Sequence, residues 1–363
     1  MQLHRRVATP GPDRHTDINP SALPFVSVVI PCRNEAKYIR LCLDSILANE
    51  YPKDRLEVLV VDGVSEDGTR AIVQDYAQRQ PVIRLLDNPR KKIPSAMNIG
   101  IKQARGEIVM KVDAHSVYAA DYVSKSVRYL REYNTDSVGG ILVTKASGDT
   151  PVAKAIALAL AHPFGSGNSH FRVGSREPRW ADTAAFGCYR REVFTRVGFY
   201  NEDLVRSSDM DLNTRFREAG GKILLVPDIV AYYYPSAGLK DFLVCNIMDG
   251  FWALYPLRFG GRGIRLRHVV PLACGLIFLV GMVAAAINPI CWWVEGALIG
   301  AYGAASVVVS ARVASRERQL RVLGFLPVVF AVRHVAYAIG SLWGSLRVVL
   351  SPSFWRSLTR SSS

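Results

Sequence analysis

Two long apolar runs stand back to back in the last third of the chain: VVPLACGLIFLVGMVAAAI at 269–287 and ICWWVEGALIGAYGAASVVVSA at 290–311. Each is about long enough to cross a hydrocarbon core of ~30 Å at ~1.5 Å of rise per residue. Asn288-Pro289 between them marks a tight turn, so the pair predicts a helical hairpin. A third run, VLGFLPVVFAVRHVAYAIGSLWGSL at 322–346, is less pure. Arg333, His334, Tyr337, Ser341 and Ser345 give it a polar stripe at helical spacing. Two placements stay open for it: a third span packing that stripe on the hairpin, or a helix lying in the interface. A buried helical domain is the competing reading of the whole region, and two full-length apolar segments in tandem weigh against it.

Arginines orient the hairpin. Arg258, Arg262, Arg265 and Arg267 precede the first run, and Arg312, Arg316, Arg318 and Arg321 follow the second. Both flanks are therefore expected on the cytoplasmic side of a plasma (inner) membrane, with the preceding domain on that face. The formal net charge is +14. Much of that excess is a membrane signature, which weakens a nucleic-acid reading of the charge. The six cysteines (Cys32, Cys42, Cys188, Cys245, Cys274, Cys291) show no CxxC and no pairing rhythm. A disulfide framework and a zinc finger are disfavoured, and a reducing compartment fits. Residues 1–24 hold no apolar core of a signal peptide and read as a flexible lead-in.

From residue 25 strands and helices alternate. VSVVI and EVLVVDG are short β-branched runs without polar alternation, as in strands buried on both faces. VIRLLDN and EIVMKVDAH continue the series. Between them, KYIRLCLDSILAN, SEDGTRAIVQDYAQR and IPSAMNIGIKQAR carry helical spacing, with Ser65 or Asp67 placed to cap the second. The pattern predicts an α/β domain with a doubly wound, mostly parallel sheet. Ligands in such sheets sit at the carboxyl ends of the strands. Pro31, Asp62 and Asp113 each fall at such an end. No GxGxxG follows the first strand and no GxxxxGK[ST] occurs, which disfavours a dinucleotide fold and a P-loop.

Asp113-Ala114-His115 ends the fourth strand with a carboxylate and an imidazole two residues apart. On the residues alone this is a metal site, an acid/base pair, or a turn with no function. DFLVCNIMDGFWALYPLRFGGRG at 241–263 mixes aromatics with arginines and predicts an amphipathic interface stretch over 241–268. HPFGSGNSHFRVGSREPRW at 162–180 reads as a mobile loop. Its arginines are candidates for phosphate contacts and Trp180 for ring stacking, with a plain solvated loop as the equal alternative.

The motifs SVVIPCRNE, LEVLVVDGVSEDGT and NIGIKQARGEIVMKVDAH resemble, in order and spacing, the inverting family 2 glycosyltransferases of GT-A (Rossmann-like) fold. HFRVGSREPRWADTAAFGCYRREVFTRVGFYNEDL and SSDMDLNTRFREAGGKILLVPD resemble the subgroup that builds succinoglycan-type exopolysaccharide. The resemblance covers roughly 25–235. It implies a GT-A domain at 25–240, which the apolar runs follow with a transmembrane region at 269–350 and a basic tail at 351–363.

What the resemblance implies for single residues is specific. Asp113 and His115 occupy the family's Asp-x-Asp, which binds a divalent cation on the donor diphosphate. A carboxylate suits Mn²⁺ or Mg²⁺, and an imidazole tilts the choice toward Mn²⁺. For His115 a hydrogen bond to the turn or to a phosphate stays open. Asp62 matches the acid that contacts uridine, with capping of the SEDGT loop as the alternative. Pro31, Arg33 and Glu35 form the first strand's exit loop, where Arg33 is either a diphosphate contact or a solvated side chain. Lys92, with Lys91, is a candidate contact to phosphate or base, and Asn98 is expected to order its helix start.

Asp209 is the candidate catalytic base. The family pattern there is Glu-Asp, and Ser208 replaces the Glu. Ser207 or Ser208 is expected to cap a helix from Asp209 to Ala219, whose dipole favours an ionised carboxylate. Asp211 is the rival. The implied activity is in-line, inverting transfer of a hexose, glucose foremost, from a UDP-sugar to a polyprenyl-diphosphate-linked oligosaccharide at the membrane. The alternatives are transfer to polyprenyl phosphate and a catalytically inactive nucleotide-sugar sensor.

Overall fold

The computed structural model describes residues 23–259 and 264–352. The expected lead-in over 1–24, Arg262 and the basic tail lie mostly or wholly outside these residues. In chain order the elements run β1 (Val26–Cys32), α1 (Ile39–Leu47), β2 (Leu56–Asp62), α2 (Thr69–Arg79), β3 (Ile83–Asp87), α3 (Ile93–Gln103), β4 (Ile108–Lys111), β5 (Ser116–Tyr118), α4 (Tyr122–Glu132) and β6 (Ser137–Thr144). Three helices follow: α5 (Pro151–Ala161), α6 (Pro163–Ser166) and α7 (His170–Val173). Then come β7 (Arg179–Ala181), β8 (Ala185–Arg190), α8 (Glu192–Val197), α9 (Ser208–Glu218) and β9 (Ile223–Tyr233). The chain ends in α10 (Leu239–Leu254), α11 (Leu266–Ile287), α12 (Ile290–Arg316) and α13 (Leu326–Val349).

The chain divides into two compact units. One comprises the described residues to Val143 with Gly174–Tyr233; the other comprises Thr144–Val173 with the described residues from Tyr234. The second stretch of the helical unit starts at Tyr234. The excursion over 144–173 into that unit was not anticipated.

The first unit is built on a sheet of order β3-β2-β1-β4-β8-β6-β9-β5, with β7 on β9. β3, β2, β1 and β4 are mutually parallel, as alternating strands and helices require. From β4 onward the pairings β4–β8, β6–β8, β5–β9 and β7–β9 are antiparallel. Every residue of β1 and β2 is buried, which is why their sequences lack polar alternation. On one face Val29, Leu59, Val61 and Val109 pack with Ala96, Met97 and Ile101 of α3, Phe194 of α8 and Leu212 and Phe216 of α9. This packing sets α3 and α9 against the strands whose tips carry the candidate residues.

The second unit is helical. α11, α12 and α13 are each long and apolar enough to cross a membrane. Those helices begin at 266, 290 and 326, so the third apolar run is a continuous helix of spanning length. Rows of Leu, Ile and Val, among them Ile277, Val280, Val283 and Ile287, are exposed on α11, as a lipid-facing surface requires. The segment read as an interface stretch is mostly α10, and α10 packs along α13 through glycines. A Cβ on Gly250 would lie 2.1 Å from the Tyr337 carbonyl, and one on Gly340 would lie 1.9 Å from that of Ile247. The small residues bring two backbones together where a surface helix would face water.

The stretch 162–180 is not one loop. α5 is opened by Thr150, whose Oγ1 accepts from Ala153 N at 3.2 Å, with Pro151 in the first turn. His162 caps α6 by accepting from Phe164 N at 3.1 Å. His334 of α13 bonds Phe164 O at 2.8 Å and Tyr302 Oη at 2.8 Å, and Arg333 donates to Gly165 O and to Asn246 Oδ1. The polar stripe of the third apolar run is therefore spent on α6, α10 and α12. Trp180 sits in β7 opposite Leu224, edge-on to Tyr133 and beneath Lys222.

Candidate active site

The carboxyl ends of β1, β2 and β4 lie side by side: Cys32 pairs with Asp62, and Val29 with Lys111. Parallel pairing sends all three chains out of the sheet at one edge, so their exit loops share a rim.

The β1 exit is held from the β2 exit. Asn34, at φ 56°, donates its N–H to Ser65 Oγ and accepts from Glu66 N through Oδ1, each at 2.9 Å. Glu35 N donates to Thr69 Oγ1 at 2.7 Å, and Ala36 N to Asp67 Oδ2 at 3.0 Å. Asp67 also accepts from Thr69 N at 3.0 Å and so caps the start of α2, as its sequence position suggested. Pro31 is buried in β1 while Arg33 stands exposed above it. The Asp62 side chain is fully buried. It accepts from Ser65 Oγ at 2.5 Å and from Ser65 N at 3.2 Å, with Arg70 at 3.5 Å. Here its carboxylate orders the SEDGT turn, so a base reaching it has to displace Ser65.

The β4 exit carries the remaining groups. Asp113 is steadied by Tyr118, whose Oη accepts from Asp113 N at 2.8 Å. His115 Nδ1 lies 3.2 Å from Glu35 Oε1, which joins the first and fourth exits, and its ring meets Tyr233 edge-on. Burial depresses the His115 pKa, but the hydrogen bond to Glu35 and the Asp113 charge outweigh it, so the imidazole keeps its proton to a higher pH than usual.

Asp209 arrives from the other side. It occupies the first turn of α9, which begins at Ser208 behind Ser207. Ser207 sits in the left-handed region at φ 60° and makes no side-chain capping bond to the helix, contrary to the expectation for a serine there. Lys111 joins the two carboxylates. Its Nζ lies 2.5 Å from Asp209 Oδ2 and 3.9 Å from Asp113 Oδ1, and its side chain is only 11% exposed. Burial lowers the ammonium pKa, but Asp209 and then Asp113 more than offset it and hold it at about 12. Asp209 and Asp113 thus both lie within 4 Å of one ammonium. Asp211 does not share this position, since it is paired with Arg215 at 2.9 Å.

Lys92 and Asn98 govern the approach to α9. Lys92 Nζ donates to Glu202 O at 3.3 Å, and Arg90 pairs with the Glu202 carboxylate. Asn98 is buried inside α3. It accepts from Tyr200 N and donates to Tyr200 O and Glu202 Oε1, each at 2.9 Å. It pins the 200–202 loop rather than the helix start for which it was nominated. Tyr200 itself is buried beside Asp209, and its hydroxyl pKa is driven up by burial and by that carboxylate.

Lys111 and Tyr200 are the residues that reading the chain missed. The signal for Lys111 was present: a lone cation in an apolar strand, two residues before Asp113 and therefore on the same face. Tyr200 lies far from the motifs and gave none.

The fit to a divalent ion follows from the donor set. Asp113 and His115 lie at one exit, and with Nδ1 engaged by Glu35 a metal bond from His115 falls to Nε2. Among the described residues no group of three or more His, Cys, Asp or Glu could hold a metal ion. Two protein donors fit an ion that takes its other ligands from phosphate oxygens and water, not a resident structural ion.

Comparisons with known proteins bear on the family and the fold. The profile of Glycosyl transferase family 2 matches residues 27–198. The succinoglycan biosynthesis protein ExoA of Rhizobium meliloti (strain 1021) is 29% identical over 345 residues, 91% of this chain and 94% of that protein. The dolichyl N-acetyl-alpha-D-glucosaminyl phosphate 3-beta-D-2,3-diacetamido-2,3-dideoxy-beta-D-glucuronosyltransferase of Methanococcus voltae is 27% identical over 62% of this chain and 72% of its own length. Among solved structures, the mannosyltransferase PcManGT from Pyrobaculum calidifontis, in complex with GDP-Man and Mn²⁺, superposes with a TM-score of 0.57 at 21% identity, covering 89% of this chain and 88% of that one. The family profile spans the parallel strands and their exits, and a relative is alike over nearly its whole length: the chain carries a Glycosyl transferase family 2 domain over residues 27–198, has the GT-A fold and is similar throughout to a succinoglycan biosynthesis protein.

Proposed function

We propose that the protein transfers a hexose, glucose foremost, from a UDP-sugar to a polyprenyl-diphosphate-linked oligosaccharide during assembly of a surface polysaccharide, with inversion at the anomeric carbon. The observation that carries this reading is the meeting of Asp113 and Asp209 at Lys111. A donor's diphosphate beside Asp113 then has its sugar toward Asp209. Both the relatives' roles in glycan assembly and the lipid-linked name of the Methanococcus voltae protein support this direction.

In this mechanism Asp209 accepts the proton of the acceptor hydroxyl as that oxygen attacks the anomeric carbon. Attack comes from the face opposite the diphosphate, so an α-linked donor gives a β-linked product. Lys111 fixes the Asp209 carboxylate, and its ammonium lies near the charge that develops on the leaving diphosphate. Asp113 and His115 would hold a divalent ion, which would supply the positive charge that neutralises the leaving group. Arg33 and Lys92 stand at the rim as cations for phosphate or base, Glu35 orients His115, and Pro31 and Asp62 shape the floor for the nucleobase.

Arginine placement supports a cytoplasmic face for the catalytic unit. Arg258 and Arg265 precede α11 and Arg267 lies in its first turn, while Arg316 ends α12 and Arg318 and Arg321 lie between α12 and α13. The test is Asp209→Asn in detergent-purified protein supplied with UDP-sugars, Mn²⁺ and a lipid extract. Turnover is expected to drop roughly 10²–10⁴-fold, with UDP affinity kept. Full turnover in the variant refutes the assignment.

A further inference from the structure

The opposite end of the same sheet carries a second concave feature. A cleft of about 670 Å³ opens where β1 and β4 begin, and five arginines line it: Arg55, Arg105, Arg131, Arg190 and Arg191. Glu107 and Glu192 are the acids in the same lining. Ile108, the first residue of β4, is in the lining, and Asp113 lies beyond the other end of that strand. At ~3.3 Å per residue the two regions are roughly 17 Å apart, so this cleft is not part of the candidate active site.

The arginines are positioned as well as clustered. Arg190 Nε donates to Thr135 O at 3.3 Å, and Arg191 Nη1 donates to Ala104 O at 3.0 Å. Arg105 Nε holds Glu57 Oε2 at 3.0 Å, a buried carboxylate that also takes Arg84 at 3.3 Å. Backbone carbonyls orient guanidinium groups without cancelling their charge, and one carboxylate shared by two arginines cancels only part. Gathering these cations in one concavity costs repulsion that a multivalent anion offsets. Guanidinium forks match phosphate oxygens in pairs. The volume lies in the usual range of small-molecule sites, ~300–1,000 Å³.

We propose that this cleft binds a ligand bearing two or more phosphate groups, as a regulatory or anchoring site separate from the donor site. A phosphate-rich lipid headgroup and a soluble polyphosphate share this chemistry.

The test is calorimetric titration of the detergent-purified full chain with pyrophosphate, in buffer free of divalent cations. Saturable 1:1 binding is expected in the wild type and in Asp113→Asn. In the Arg55→Gln/Arg131→Gln double variant, checked for wild-type circular dichroism, affinity should fall at least tenfold. Absence of saturable binding in the wild type, an unchanged double variant, or loss of binding in Asp113→Asn overturns the proposal. Repeating the titration in nanodiscs separates the sources. If headgroups occupy the cleft, discs containing cardiolipin, whose headgroup carries two phosphates, weaken pyrophosphate binding relative to phosphatidylcholine discs, and the double variant erases that difference. A soluble ligand predicts equal affinity in both discs.

Discussion

Lys111 Nζ lies 2.5 Å from Asp209 Oδ2 and 3.9 Å from Asp113 Oδ1, so one buried ammonium spans the two carboxylates on which the proposed chemistry depends. Lys111→Met removes this tie while keeping the length and apolar stem of the side chain. Asp209 is nearly half exposed, so water solvates it and the fold survives. Loss of positioning by about 1 Å is enough to lower kcat roughly 10²-fold. The expected signature is a fall in kcat with little change in donor KM, and partial recovery in Lys111→Arg. A kcat equal to wild type in Lys111→Met would remove Lys111 from the mechanism.

Metal dependence is the second test. The protein offers Asp113 and His115, and no larger acid, His or Cys cluster among the described residues. If the ion arrives with the donor, as two protein donors suit, chelation should abolish turnover reversibly without unfolding the protein. Added Mn²⁺ should restore activity, with His115→Ala needing more Mn²⁺ for half-activation and Asp113→Asn showing no activation. A melting temperature that collapses on chelation would instead reveal a structural ion.

The parallel half of the sheet and its exit residues were legible because the physics there is local. Buried parallel strands show as unbroken β-branched runs, and the topology sends their ends to one rim. Asp62 and Asp113 could be placed at strand ends from that alone, whereas Asp209 was reached only through the family resemblance. The side chains that organise the rim were harder. A lysine at 111 reads as a solvated strand residue until Asp209, distant in sequence, is brought opposite it. Asn98 looked like a helix-start residue because its partners, Tyr200 and Glu202, come from more than a hundred residues away. The excursion over 144–173 was obscured by composition. The Gly, Ser and Arg of 162–180 suggested a loop, while the apolar α5 just before it and the partners of Phe164 belong to the helical unit.

Acid sensitivity of the first unit should run through Glu57. Its side chain is 1% exposed and accepts from Ser27 Oγ at 2.6 Å, Arg105 N at 2.7 Å and Arg105 Nε at 3.0 Å. Burial pushes its pKa up, but the Ser27 and Arg105 interactions more than reverse that and leave it lowered. A carboxyl lowered by folding stabilises fully above its unfolded value, about 4.3, and that stabilisation is lost as pH falls through the folded value. Glu57→Gln should thus melt lower than wild type at pH 6, and the gap should close toward pH 3. A gap that stays constant over this range would show that Glu57 is not ionised in the fold.

The helical unit gives the last prediction. Gly340 and Gly344 of α13 lie against α10 so closely that a Cβ would stand 1.9 Å from the Ile247 carbonyl and 2.4 Å from that of Phe251. These contacts are to backbone, so no rotamer change relieves them, and the helices have to separate by the width of a side chain. Gly340→Leu should therefore lower the melting temperature of the purified protein and expose α10 to protease. Gly303 of α12 provides the control, since a Cβ there meets nothing within 4 Å and the helical backbone is the same. Gly303→Leu should leave both readouts near wild type. Equal destabilisation by the two substitutions would mean that the cost comes from changing a glycine in an apolar helix, and that α10 and α13 do not hold each other through this face.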